Sequence, residues 1–287
     1  MRIQFSLFLA FLFIISTSSS VQAQELELGV KGGFMLYSGD LSPKEFGVYF
    51  EDLNPAGGIY LRYRPTPRIG IRVNGDFGRI SAERDVPVPD GLGNSVVVTR
   101  NFRSAISNFG IVGEIDLFYL GDRTRNFFAP YVYGGIGVTT FNPEGELDGV
   151  WNELQPLRTE AQGSGLSPEY APTPYDLTVV ALSLGAGVRV RFSDRFVIGL
   201  ELGGFKPRTD YLDDVGNTPV RYLDVLQGNN GGLAARYSNP GVENPAEITD
   251  LTYRRGGEFE DYFWVGSLTV GVTIGAGGSK KSGCYTF

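Results

Sequence analysis

The side chains able to do chemistry in this 287-residue chain are few in kind. His is absent, which removes Ser–His triads, Asp–His hydrolysis and His-ligated zinc. A lone Cys, Cys284, rules out cysteine zinc clusters and any intramolecular disulfide. Carboxylates and arginines remain. Five of them, Arg72, Glu114, Asp116, Arg189 and Glu201, fall on the polar face of predicted strands. Paired carboxylates there could act as acid and base, or the group could line a gated channel. Carboxylates already engaged by guanidiniums make poor general acids. We therefore read an ion-pair plug without catalysis. A second cluster is the loop motif Thr209-Asp210-Tyr211-Leu212-Asp213-Asp214. It lacks the Asp-x-Asp-x-Asp-Gly spacing and the bidentate Glu of a calcium loop, so the expectation is a solvated acidic turn. No cofactor or metal is implied.

The five charges share a level only if strands position them. Eight segments alternate apolar and polar residues with period two: 25–38, 56–64, 68–80, 103–119, 130–141, 177–192, 195–205 and 261–275. Counted from the short-turn rim at roughly 2.6 Å per tilted residue, the five lie ~10–16 Å up. Arg72 then stands opposite Glu114 and Asp116, and Arg189 diagonal to Glu201. Inward glycines (Gly70, Gly110, Gly185, Gly187, Gly199, Gly203) leave room for the long side chains. On the other face, Tyr119, Phe192 and Phe196 mark one end and Phe77, Tyr262 and Trp264 the other, as two aromatic girdles.

Connections after the second, fourth and sixth strands are short, and the others are long. Short turns at one end and long loops at the other mark bacterial outer-membrane barrels. The predicted fold is all-β: an eight-stranded antiparallel transmembrane β-barrel with short periplasmic turns and long extracellular loops. An ordinary β-sandwich is the competing reading. Steps such as Asn-Gly, Gly-Gly and Asn-Pro between 228 and 245 predict irregular, partly mobile structure.

Residues 1–23 read as a signal peptide: Arg2, an apolar run from Phe5 to Ile15, a polar stretch, then Val21-Gln22-Ala23. Cleavage is expected between Ala23 and Gln24. The run is too short for a membrane helix, which needs ~20 residues. Residues 24–277 would form the barrel and 278–287 a periplasmic tail, with both termini periplasmic and the protein in the cell outer membrane. A net charge of −7 argues against a nucleic-acid partner. Outer-membrane lipids are the expected surroundings. In the tail, Cys284 is either a free thiol or a site of intermolecular disulfide pairing, and Tyr285 and Phe287 offer aromatic contact surface.

Several phrases carry a resemblance. They are Pro130-Tyr131-Val132-Tyr133-Gly134-Gly135-Ile136-Gly137 running into Phe141-Asn142-Pro143, Leu154-Gln155-Pro156-Leu157-Arg158-Thr159-Glu160, Gly199-Leu200-Glu201-Leu202-Gly203, Thr209-Asp210-Tyr211-Leu212-Asp213-Asp214-Val215, and the ending Cys284 to Phe287. In this order they resemble the PorG family, small outer-membrane barrels associated with the type IX secretion system of Bacteroidota. The chain differs after Leu202, where the family usually continues Arg-Lys, and in the stretch 228–258. The resemblance implies a non-enzymatic accessory role in type IX secretion and linked gliding. Its partners would be a periplasmic ring lipoprotein and its companion, with Cys284, Tyr285 and Phe287 as candidate contacts. The alternative is a general structural or adhesive small barrel, or a narrow pore.

Overall fold

The computed structural model describes residues 25–42, 52–122, 126–228, 231–256 and 259–274. Its strands, in chain order, are β1 (Glu25–Ser38), β2 (Asn54–Arg64), β3 (Ile69–Pro89), β4 (Ser95–Asp116), β5 (Leu120–Asp122), β6 (Asn126–Leu147), β7 (Val150–Glu153), β8 (Thr178–Arg191), β9 (Phe196–Pro207), β10 (Val220–Arg221), β11 (Thr252–Tyr253) and β12 (Tyr262–Ile274). Two short helices, α1 (Tyr222–Leu226) and α2 (Gly231–Ser238), lie in the last long connection.

Eight strands close a ring, each antiparallel to its neighbours: β1, β2, β3, β4, β6, β8, β9 and β12. Closure is made by β12 against β1, from Leu26↔Ile274 to Ser38↔Tyr262. Closure leaves no open edge in the ring. The short β5 and β7 only extend β6, at opposite ends. At one rim the turns are short, and the other carries the long connections. No helix among the described residues is long and apolar enough to cross a membrane.

Alternation does two different things along the same strands. In the lower part, Leu28, Val30, Ile59, Ile71, Val73, Ile111, Ile136, Leu182, Leu184, Leu200 and Leu268 all point outward and are exposed. Along β8 and the residue after it this belt runs from Val180 to Phe192, which at ~2.6 Å per residue is about 30 Å, the thickness of a bilayer core. Phe77 and Phe109 meet edge-to-face at 5.3 Å near its upper limit, and Phe192 and Phe196 stack at 6.0 Å at the lower one. Above Phe77 the hydrophobic phase changes face. Ile80 and Ala82 of β3, Phe102 and Ile106 of β4 and Phe141 of β6 turn inward and are buried, while Arg79 and Glu83 point out. Met35, Phe205, Phe263 and Val265 complete this upper core.

Two expectations about the long connections are corrected. Residues 81–102 are not a loop, because β3 and β4 run on as a paired ribbon to Pro89↔Ser95. Val86, Val88, Val96 and Val98 have strand-forming side chains. The turn closes because the Asp90 carboxylate accepts from the amides of Leu92 and Asn94, with Gly91 and Gly93 at φ of 80° and 97°. Nor is the region 228–245 wholly irregular. Leu154, Leu157, Val220, Tyr222, Ala234, Ala235, Ile248 and Tyr253 pack a second core that folds the long connections into a cap. Turn-type residues there end α1 and α2; the apolar residues between them supply the burial that orders the segment.

Candidate functional site

The barrel interior is built from the polar residues that alternate with the aliphatic belt. Strand β4 places Glu114, two residues from its end, fully buried in the interior, where three strands deliver guanidiniums to it. Arg62 Nε lies 2.7 Å from Glu114 Oε2, Arg72 Nε 3.0 Å from Oε1, and Arg189 Nη1 3.0 Å from Oε2. Each arginine holds a further carboxylate: Arg62 donates to Glu27 at 2.5 Å, Arg72 to Glu201, and Arg189 to Asp116. Arg64 reaches Glu27 at 3.4 Å, Arg191 reaches Glu25 at 2.8 Å, and Lys31 pairs with Asp76. Six cations (Lys31, Arg62, Arg64, Arg72, Arg189, Arg191) thus face six carboxylates (Glu25, Glu27, Asp76, Glu114, Asp116, Glu201).

Tyrosines fill the space between the charges. Tyr60 donates to Glu27 at 2.7 Å and Tyr131 donates to Glu201. Guanidiniums lie over their faces, Arg189 at 4.4 Å from Tyr131 and Arg72 at 4.9 Å from Tyr133. The inward glycines are sockets for these rings. A Cβ on Gly185 would come within 2.3 Å of Tyr133, and one on Gly187 within 2.7 Å of Tyr131.

All five residues singled out in the sequence, Arg72, Glu114, Asp116, Arg189 and Glu201, lie in this cluster. Arg72 meets Glu114 on the neighbouring strand, as expected, while the other partners differ from the neighbour-strand expectation. Asp116 binds Arg189 instead of Arg72, and Glu201 binds Arg72 at the opposite side of the ring's connectivity. Curvature is the reason: in so narrow a barrel a long side chain reaches past the adjacent strand. Glu25, Glu27, Lys31, Arg62, Arg64, Asp76 and Arg191 were missed as members. Their signal was available, since each sits out of phase with its aliphatic neighbours, as Arg62 and Arg64 do around Tyr63.

The acidic motif overturns its expectation. Asp213 and Asp214 are buried, not solvated. Asp214, held at a φ of 65°, accepts from Thr159 at 2.6 Å, Tyr175 at 2.8 Å and Arg255 at 2.8 Å. Asp213 Oδ2 lies 2.8 Å from the Tyr37 hydroxyl, which is also 2.6 Å from Asp261 Oδ1. Tyr211 donates to Glu160 at 3.0 Å. Asp210 is the half-buried member. Loss of water around them, with the charge of Asp40 adding, pushes Asp210 up to about 6 and Asp213 up to about 8. Burial likewise pushes Glu160 up to about 7 and raises Asp261. A short hydrophobic residue inside the motif, Leu212, explains the error: it is buried in the upper core and carries its neighbours in with it.

Among the described residues no group of three or more His, Cys, Asp or Glu is placed to hold a metal ion. Ala23, Gln24, Cys284, Tyr285 and Phe287 lie outside the described residues.

A closed eight-stranded antiparallel ring, aliphatic outside and charge-paired inside, is the build of the small outer-membrane β-barrel proteins. The chain belongs to the family described as Domain of unknown function (DUF6089), which matches residues 6–149. It is similar to the N-terminal β-barrel domain of Pseudomonas aeruginosa OprF, at 12% identity over 88% of this chain and 100% of that one, with a TM-score of 0.33. Neisserial surface protein A is similar at 10% identity, over 87% of this chain and 96% of its own, with a TM-score of 0.39. So is Ail, the attachment invasion locus protein of Yersinia pestis, at 11%, 88% and 97%, with a TM-score of 0.34. No curated protein matches the chain.

Proposed function

We propose that this protein is a non-enzymatic barrel of the bacterial outer membrane, its short turns and both termini periplasmic and its cap extracellular. One observation carries the reading: the same strands present an aliphatic belt outward and a charge-balanced, tyrosine-packed plug inward. A plug of that kind stabilises a wall-like anchor and leaves the carboxylates committed to arginines. The capped outer mouth favours a structural or adhesive platform over the narrow-pore reading.

Within that class, the resemblance to the PorG family supports an accessory role in type IX secretion and linked gliding, anchoring a periplasmic ring lipoprotein and its companion. The phrases at 130–143, 154–160, 199–203 and 209–215 support it, and the tail residues Cys284, Tyr285 and Phe287 are the proposed contacts. Affinity purification of the tagged protein in mild detergent, read by mass spectrometry, tests the role. Recovery of the ring proteins supports it; their absence while the barrel itself is intact removes it.

A further inference from the structure

We propose that Tyr37, Asp213 and Asp261 form a proton-sharing latch that fastens the cap onto the outer mouth of the barrel and releases it as the pH rises. This goes beyond the anchoring role and does not depend on it. The three residues come from three places: the end of β1, the connection after β9 and the residue just before β12. All are about 1% exposed. The remaining oxygen of each carboxylate is taken by a backbone amide, Val215 N on Asp213 at 3.0 Å and Leu212 N on Asp261 at 2.7 Å. Both other oxygens converge on one phenol.

A phenol has one hydrogen to give and two carboxylates ask for it. The second short oxygen–oxygen contact requires another proton, carried by a carboxyl group. The assembly is therefore closed when Asp213 and Asp261 together hold one proton, and it titrates as a unit. Its surroundings favour keeping that proton. Asp40 faces it from the β1–β2 connection and Asp210 from the motif itself. Asp214, Glu160, Tyr175 and Tyr211 line the same segment. The nearby cations are already occupied, Arg255 by Asp214 and Thr159, and Arg100 by the carbonyls of Arg255 and Ser238. Among the described residues no ion pair reaches Asp213 or Asp261.

Losing the proton leaves two buried anions a phenol's width apart, which the site cannot hold. Leu212, next to Asp213 in the chain and fully buried with Met35, Phe205 and Phe263, would withdraw with the segment. The direction follows from linkage. A carboxyl held protonated in the folded state contributes stability that is complete below the ordinary carboxylate range. That contribution falls as pH rises and is lost beyond about 8, the value to which Asp213 is pushed.

Hydrogen–deuterium exchange of the full protein in lipid vesicles, corrected for intrinsic rates, tests this between pH 6 and 10. Protection of residues 211–216 should fall by about tenfold per pH unit up to about pH 8 and level off above it, while β8 stays protected. Asp213→Asn, which fills the same space and cannot titrate, should flatten the profile. In the wild type alone, an infrared carboxylic-acid band that weakens as pH rises to about 8, in step with the loss of protection, reports the shared proton should Asp213→Asn fold poorly. A pH-independent wild type, an unchanged transition in Asp213→Asn, or no such band overturns the latch.

Discussion

Replacing Glu114 by Gln tests whether the interior is a dry ion-pair plug. The amide keeps the shape and one acceptor oxygen, but turns an NH2 toward guanidiniums that are already donors. Glu114 is fully buried and in contact with Arg62, Arg72 and Arg189. Without its charge, six cations face five carboxylates. Removing one partner from a buried pair costs about 3–5 kcal/mol. Because Glu27, Glu201 and Asp116 still hold the three arginines, we expect the lower end, about 3 kcal/mol, or roughly a hundredfold in the folded-to-unfolded ratio. The control is Glu144→Gln at the outer rim. Its pair with Arg103, 2.6 Å long, has both side chains 32% exposed, so the loss should stay within about 1 kcal/mol. Urea titration of barrels folded into vesicles, followed by the fluorescence of Trp151 and Trp264, measures both. Equal losses for Glu114→Gln and Glu144→Gln, with unchanged m values, would refute the dry plug and imply a hydrated, screened interior.

Further outcomes are specific. Leu200→Arg puts a cation on a residue 58% exposed in the aliphatic belt, and should cost about 2–4 kcal/mol of folding in lipid. Asp213→Ala should cost about 1–3 kcal/mol in the same assay, since it strands the buried Val215 amide and leaves the Tyr37 hydroxyl with Asp261 alone. Gly135→Ala should lower stability by about 1–3 kcal/mol, because its Cβ would lie 2.1 Å from the Ile111 carbonyl oxygen. Single-channel recording in planar bilayers should show no steady conductance at neutral pH, and discrete openings there would contradict the plug. Cys284→Ser should abolish any reductant-sensitive high-mass band of outer membranes on non-reducing gels; persistence of the band would remove that cysteine from pairing.

The ring of strands was legible in the chain because period-two alternation is a local property. Leu28 beside Glu27, Ile71 beside Arg72 and Leu200 beside Glu201 state, within two residues, which side chain meets lipid and which meets the interior. The upper limit of the belt was written there as well, in the change of hydrophobic phase from Val73 and Phe77 to Ile80 and Ala82. We read the strands as ending at that point, when in fact only their surroundings change, from lipid to water outside and from charge to a hydrophobic core inside. Partner choice in the plug could not be read locally. Arg189 can reach Glu114 and Asp116 only after β4, β6 and β8 curve round a common axis, so the pairing is decided by closure. The same holds for Asp213. Its sequence neighbourhood is that of a wet acidic turn, and only the packing of Leu212 beneath the cap takes it out of water and sets it against Tyr37 and Asp261, residues 176 and 48 positions away along the chain. Burial is a property of what surrounds a residue, and for this segment the surroundings come from distant strands.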